Sequence, residues 1–273
     1  SDDVLAMCFL TFFNSEKPIL FPDLTYSFYK VWAELFHIPY ECPKLDEDFR
    51  IKREDYYKEN GGVIFPNPNA PTSIFEDLAF VEDILTHNQD VVVIVDEAYV
   101  DFAGKSAMEL LERYENLIVV QTFSKARSMA GMRIGYAIGS PLLIEYLNNA
   151  KYSFNSYTMS IPAIDCGVEA VKDKAYFEET VQKIIDTREW AKEELSKLGF
   201  GSRILRRILS LQRIQNMMRK NFLRRSKLMI SMCVILAVQG QKSIFALRLE
   251  QEKRWKNYLH FLGNICKDKA LTG

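Results

Sequence analysis

Along residues 1–200 the hydrophobic positions switch repeatedly between a helical and a strand-like period, which predicts a layered α/β fold. Val4–Asn14 carries the helical period behind Ser1, Asp2 and Asp3, any of which can cap it. Pro18–Pro22 reads as a short apolar strand, Thr25–Phe36 as an amphipathic helix and Ile38–Glu41 as another strand. Gly62–Phe65 reads as a strand that breaks into Pro66-Asn67-Pro68-Asn69-Ala70-Pro71-Thr72, a stretch too rich in Pro and Asn to be anything but a loop. Glu76–Thr86, Ala107–Tyr114 and Pro141–Ala150 read as helices. Val91–Val95 and Leu117–Thr122 read as strands buried on both faces of a parallel sheet. Ile161–Leu198 reads as one long amphipathic helix, open to a kink and closed by Gly199. No internal repeat is visible.

In such a fold the ligand sits beyond the carboxyl ends of the strands. Asp96 and Lys125 each lie just past a buried run, so they can converge although far apart in sequence. A lysine after a strand is ordinarily a solvated charge, but the neighbours of Lys125 change that reading. Thr122 and Ser124 offer hydroxyl donors, and Arg133 follows the Ala130-Gly131 turn. A phosphate takes such short donors together with a bidentate cation. A lysine amine can form a Schiff base with an aldehyde cofactor. Asp96 follows five apolar residues, where an unpaired carboxylate is costly. It is either a helix cap or local ion pair, or the partner of a cationic ring nitrogen. Tyr99 can give its hydroxyl to a ring oxygen or belong to the core. Taken together, these parts describe a pyridoxal phosphate site.

Composition adds a warning. The chain has 273 residues, 48% of them apolar and 12% aromatic, enough for a sizeable core, and a net charge of −1. That average hides a split: residues 201–273 hold 16 Lys and Arg against 3 Asp and Glu, leaving 19 and 33 for residues 1–200. The five cysteines, Cys8, Cys42, Cys166, Cys233 and Cys266, have no CxxC spacing and signal neither disulfides nor zinc. The three histidines are scattered, so no metal is expected. A reducing, cytoplasmic setting follows, and the longest apolar run of the tail, Leu228–Val238, is too short to span a bilayer.

The segments VDEAYVDF (95–102) and TFSKARSMAGMRIGY (122–136) resemble the fold type I aminotransferases, and most of all their histidinol-phosphate branch. Ser1-Asp2-Asp3 resembles the end of that family's Gly-Ser-Asp-Glu turn, whose backbone amides hold the cofactor phosphate. Phe21-Pro22-Asp23-Leu24-Thr25-Tyr26 resembles the segment whose tyrosine stacks on the pyridine ring, and Asn67–Thr72 resembles the Asn-Pro-x-Asn-Pro-Thr-Gly loop. By this resemblance Lys125 is the Schiff-base lysine and Asp96 pairs with the ring nitrogen. Tyr26 would stack on the ring and Tyr99 and Asn69 would reach its oxygen. Ser1, Asp2, Thr122, Ser124 and Arg133 would hold the phosphate. Two positions depart from the pattern: the asparagine place is Ala70, with Asn69 one place earlier, and Ser73 stands for Gly.

The resemblance covers residues 1 to about 200 and implies a large domain over 1–160, a helix over 161–200 leading to a small domain, and a missing N-terminal segment. It implies histidinol phosphate or imidazole acetol phosphate with glutamate or 2-oxoglutarate as substrates, a homodimer, and no role for nucleic acid. Residues 201–273 lack the family's later motifs. Regrouping their codons by one base, with suitable third positions, can restore Ala-Asn-Phe-Ile-Phe and Phe-Arg-Val-Thr-Ile-Gly-Thr. The basic segment therefore reads as a frameshifted remnant of the small domain, in a chain of impaired activity. The rivals are a related threonine-phosphate decarboxylase and a non-catalytic fragment whose basic tail binds nucleic acid.

Overall fold

In the computed structural model, which describes residues 1–197, the apolar runs of the sequence form the middle of a six-stranded sheet. The strands are β1 (Ile19–Leu20), β2 (Tyr40–Glu41), β3 (Val63–Pro66), β4 (Val93–Asp96), β5 (Leu117–Thr122) and β6 (Gly135–Gly139). Their order across the sheet is β2-β1-β3-β4-β5-β6. All neighbours run parallel except β6, which pairs antiparallel with β5.

Alternate residues of each strand feed two separate cores. Ile64, Ile94 and Ile118 face one side, where Leu5, Cys8 and Phe9 of helix α1 (Asp2–Phe12) and Tyr29, Trp32 and Ala33 of α2 (Phe28–Leu35) cover them. Val63, Val93, Val95, Leu117 and Val119 face the other, against Phe80, Val81, Ile84 and Leu85 of α3 (Leu78–His87). Burying each such side chain contributes roughly 1.5–3 kcal/mol. A one-residue slip would exchange the two sets, so the register Val63↔Val93↔Leu117 is strongly specified. That register in turn sets where Asp96 ends β4 and Thr122 ends β5.

The sequence expectations hold for the central strands and for α1, α2 and α3, with ends shifted by up to three residues. The Asp77 side chain accepts from the Phe80 amide (2.9 Å) and so starts α3. Three differences stand out. Ala107–Tyr114 is no α-helix: only Ala107–Leu110 coils, as a 3-10 turn whose first amides donate to Glu97 and to the Ser106 hydroxyl. Strand β6 was not foreseen. Helix α4 (Pro141–Phe154) is followed by α5 (Ile161–Lys172) and α6 (Lys174–Lys197), so the helix expected from Ile161 is broken at Asp173. There the Asp173 carboxylate accepts from the Tyr176 amide (3.1 Å), acting as a cap inside the run.

The chain divides into two compact units after Phe177. The sheet and α1–α5 belong to the first; of the second, the described residues lie in α6. The basic segment 201–273 lies outside the described residues. Among the described residues no helix is long and apolar enough to cross a membrane.

Candidate active site

The carboxyl ends of β1, β3, β4 and β5 share one edge of the sheet with the start of antiparallel β6. Every residue singled out in the sequence lies in β4, β5 or the segments that meet along this edge.

Asp96 is the last residue of β4, level with Pro66 on one side and Val120 on the other, and only 4% exposed. One carboxylate oxygen accepts from the Tyr29 hydroxyl (2.8 Å) and the other from the Ala98 amide (3.2 Å). Burial pushes its pKa above the ordinary value, and the Tyr29 hydroxyl and then the Ala98 amide oppose that shift. Its neighbour Glu97 points away to the opposite side, where Ser106, the Ala107 amide and Gln121 take both its oxygens. The two adjacent carboxylates therefore divide, one available to the site and one structural.

Lys125 lies three residues beyond β5, its amine 4.9 Å from the centre of the Tyr99 ring. Tyr99 follows β4, so this contact joins the loop carrying Asp96 to the loop carrying the lysine.

A cluster of donors lies alongside. Thr122 Oγ1 donates to the Ile134 carbonyl (3.1 Å), accepts from the Ser124 amide (3.2 Å) and lies 3.2 Å from the Ser1 nitrogen at the start of α1. Ser124 is buried beside it. Arg133 has a left-handed backbone (φ 55°) that turns the chain into β6. Its guanidinium lies 3.4 Å from one Asp2 oxygen and donates to the Ala130 carbonyl (3.2 Å). The other Asp2 oxygen accepts from the Tyr26 hydroxyl (2.9 Å). Ser1, Asp2, Tyr26, Thr122 and Arg133 thus form one connected group.

Asn69 plays a different part. Its carbonyl oxygen accepts from the Thr25 hydroxyl (3.1 Å) and its amide donates to the Leu24 carbonyl (3.0 Å). It ties its loop to the segment carrying Tyr26. Asn67, which the motif reading passed over, closes that loop by bonding the Glu76 amide (2.9 Å) and carbonyl (2.8 Å). Ser73 sits at φ 58°, a conformation glycine adopts without strain.

Two further residues escaped the sequence reading. Tyr29 reads there as one more apolar position of a helix, although it lies three residues after Tyr26 and so on the same face. Gly135 opens β6, and a Cβ placed there would lie 2.8 Å from the Ser1 nitrogen and 3.0 Å from its Cα. Only a glycine lets the first residues of α1 approach the sheet this closely.

The donor set fits a phosphate: a guanidinium, two buried hydroxyl residues and a helix N-terminus, held at close quarters by a glycine. The buried carboxylate at the other side fits a cationic ring, and the amine fits an aldehyde.

The family model for aminotransferases of class I and II matches residues 1–242. A histidinol-phosphate aminotransferase of Lactococcus lactis subsp. cremoris (strain MG1363) is 52% identical over 200 residues, 73% of this chain and 56% of that protein. One from Pseudomonas putida (strain W619) is also 52% identical over 200 residues, 73% of this chain and 58% of its own length. The chain therefore spans little more than half the length of these relatives. Among solved structures, the histidinol-phosphate aminotransferase of Clostridium acetobutylicum superimposes with a TM-score of 0.66 at 24% identity, over 74% of this chain and 61% of that one. The Sinorhizobium meliloti enzyme in complex with pyridoxal-5'-phosphate gives 0.62 at 22%, over 72% and 55%. These structures share the mostly parallel α/β fold described above.

Proposed function

Because this chain belongs to the aminotransferases of class I and II, we propose that it carries the pyridoxal phosphate core of a histidinol-phosphate aminotransferase. Such an enzyme moves an amino group from glutamate to imidazole acetol phosphate, giving 2-oxoglutarate and histidinol phosphate, or runs the reverse. The observation that carries the reading is the meeting, along one sheet edge, of a buried carboxylate, a lysine amine and a phosphate-type donor cluster. The two relatives at 52% identity support the substrate assignment.

When bound, the cofactor supplies an electron sink for the bond broken at the substrate's α-carbon. This chain's own residues do the rest. Lys125 would hold the aldehyde through its amine and, once displaced by the substrate's amine, would serve as the base of the 1,3-proton shift. Asp96 keeps a proton at the ring nitrogen by offering an anion where water is excluded. Tyr26 would pack on the ring and Tyr99 would serve its oxygen, while Asn69 ties its loop to the segment carrying Tyr26. Thr122, Ser124, Arg133 and the Ser1-Asp2 turn hold the phosphate. Arg133 already faces an anion in Asp2, so phosphate capture must compete with or share that contact. The same reading gives small-molecule substrates, a homodimer and a cytoplasmic setting, and takes residues 201–273 as the frameshifted remnant of a substrate-reading domain.

The test begins with cofactor capture. Full-length chain titrated with pyridoxal phosphate is expected to develop an absorption band that Lys125→Ala abolishes, and Arg133→Gln should weaken binding about tenfold or more. A band unchanged in Lys125→Ala sinks the site assignment. Histidinol phosphate should perturb that band more strongly than threonine phosphate. Release of CO2 from threonine phosphate without a keto acid would replace the aminotransferase by a decarboxylase.

A further inference from the structure

Tyr29 is a buried polar group at this edge for which the assignments above give no task. It is fully buried, in the first turn of α2, and its hydroxyl reaches 67 residues along the chain to Asp96. Its ring is walled in by Phe9 (6.0 Å between centroids), Phe21 (6.0 Å), Trp32 (6.4 Å) and, edge-on at 84°, by Tyr26 (5.7 Å). A ring packed on so many sides cannot swing, so the hydroxyl is aimed at a single point.

A purely structural tyrosine needs only some acceptor, and backbone carbonyls are the usual choice. This hydroxyl instead takes one oxygen of the carboxylate that faces the site. With the Ala98 amide on the other oxygen, each has a single fixed donor and a second lone pair to spare. The plane of the carboxylate is thereby set before any ligand arrives. Charge matters as much as direction. Desolvation favours the neutral acid at Asp96, and the Tyr29 hydrogen bond is first among the contacts that favour the anion. The other titratable groups facing Asp96 are the Ser1 amino group, the Tyr26 hydroxyl, Asp2 and the buried Cys8 thiol of α1. Asp2 raises the Asp96 pKa further, and the Ala98 amide and the Ser1 amino group join Tyr29 in opposing it, with the Tyr29 hydroxyl first among them.

We infer that Tyr29 is a positioning residue whose hydroxyl fixes the orientation and the negative charge of Asp96 opposite the cofactor's ring nitrogen. This rests on the cofactor reading above. Tyr26 and Tyr29, one turn apart, then serve the ring together, the first by its face and the second through the carboxylate.

The experiment is a double-mutant cycle on cofactor affinity, using the full chain with Tyr29→Phe, Asp96→Asn and the pair, each checked for folding by thermal unfolding. Tyr29→Phe keeps the ring and is expected to bind pyridoxal phosphate about tenfold more weakly and to move its bound absorption band. In the Asp96→Asn background the same change should cost less than about twofold and leave the band in place. Tyr29→His retains a ring-borne donor and should keep more affinity than Tyr29→Phe. Equal losses in both backgrounds, no loss in either, or the reverse order of His and Phe overturns this assignment alone. Absence of any Lys125-dependent band in the unaltered chain overturns the cofactor reading and this inference with it.

Discussion

At the scale of residues, buried carboxylates set the pH behaviour. Asp96, Glu97 and Glu76 all have their pKa raised chiefly by burial. A carboxyl whose folded value is raised keeps its proton to higher pH when folded than when unfolded. The unfolding free energy therefore falls as pH rises from the ordinary 3.8 of Asp96 through its folded value, and the contribution is flat beyond it. In Asp96→Asn that fall should be shallower, with Glu97 and Glu76 still contributing; urea unfolding at a series of pH values reads the difference, and identical slopes would refute it. Such a cost, at a residue whose neighbour Glu97 has its oxygens fully used by Ser106, Ala107 and Gln121, is what a functional carboxylate looks like. Asp96 and Lys125 were legible in the sequence because each follows a β-branched run. Tyr29 was not, since the spacing of an aromatic in a helix is the same whether its hydroxyl is idle or bonded to a carboxylate.

At the scale of elements, the approach of α1 to β6 is the contact that assembles the donor cluster. Gly135→Ala would drive a methyl group into the Ser1 backbone, 2.8 Å from its nitrogen. The start of α1 must shift, and that separates it from Thr122. Cofactor or inorganic phosphate affinity should drop about tenfold, with a stability loss of about 1–3 kcal/mol; calorimetric titration of the variant with unchanged affinity would show that this close packing is incidental. Strand β6 itself was hidden in the sequence. Gly-Tyr-Ala-Ile-Gly has glycine at both ends and none of its five residues is buried, so no period stands out. The break at Asp173 was readable in principle, since Lys172-Asp173-Lys174 interrupts the apolar stripe with a capping residue. Helical periodicity on both sides outweighed it.

At the scale of the whole molecule, the central sheet could be read from Val91–Val95 and Leu117–Thr122 because strands covered on both faces need apolar residues at every position. The order β2-β1-β3-β4-β5-β6 could not, because which strands lie side by side is decided by long-range packing and leaves no local trace. The curated relatives align over 200 residues of this chain while the family match runs on to residue 242. The frameshift reading makes a definite forecast here. Nucleotide sequence near codon 200 should show one base too few, and restoring it should yield an acidic segment containing Phe-Arg-Val-Thr-Ile-Gly-Thr. A continuous frame through the arginine-rich segment would refute it.

The bonds that assemble the donor cluster span great lengths of chain: Ser1 to Thr122 covers 121 positions and Asp2 to Arg133 covers 131. During synthesis the start of α1 can meet only Tyr26 of that cluster until β5 and the turn at Arg133 have emerged and joined the sheet. Loop closure over such distances is slow, and its entropy is recovered only when the last strand docks. A ligand that needs both ends recognises nothing but the finished sheet, so by mass action it draws chains toward completion. The small molecule would then act as the final inspector of folding, retained by molecules that have closed and ignored by those that have not.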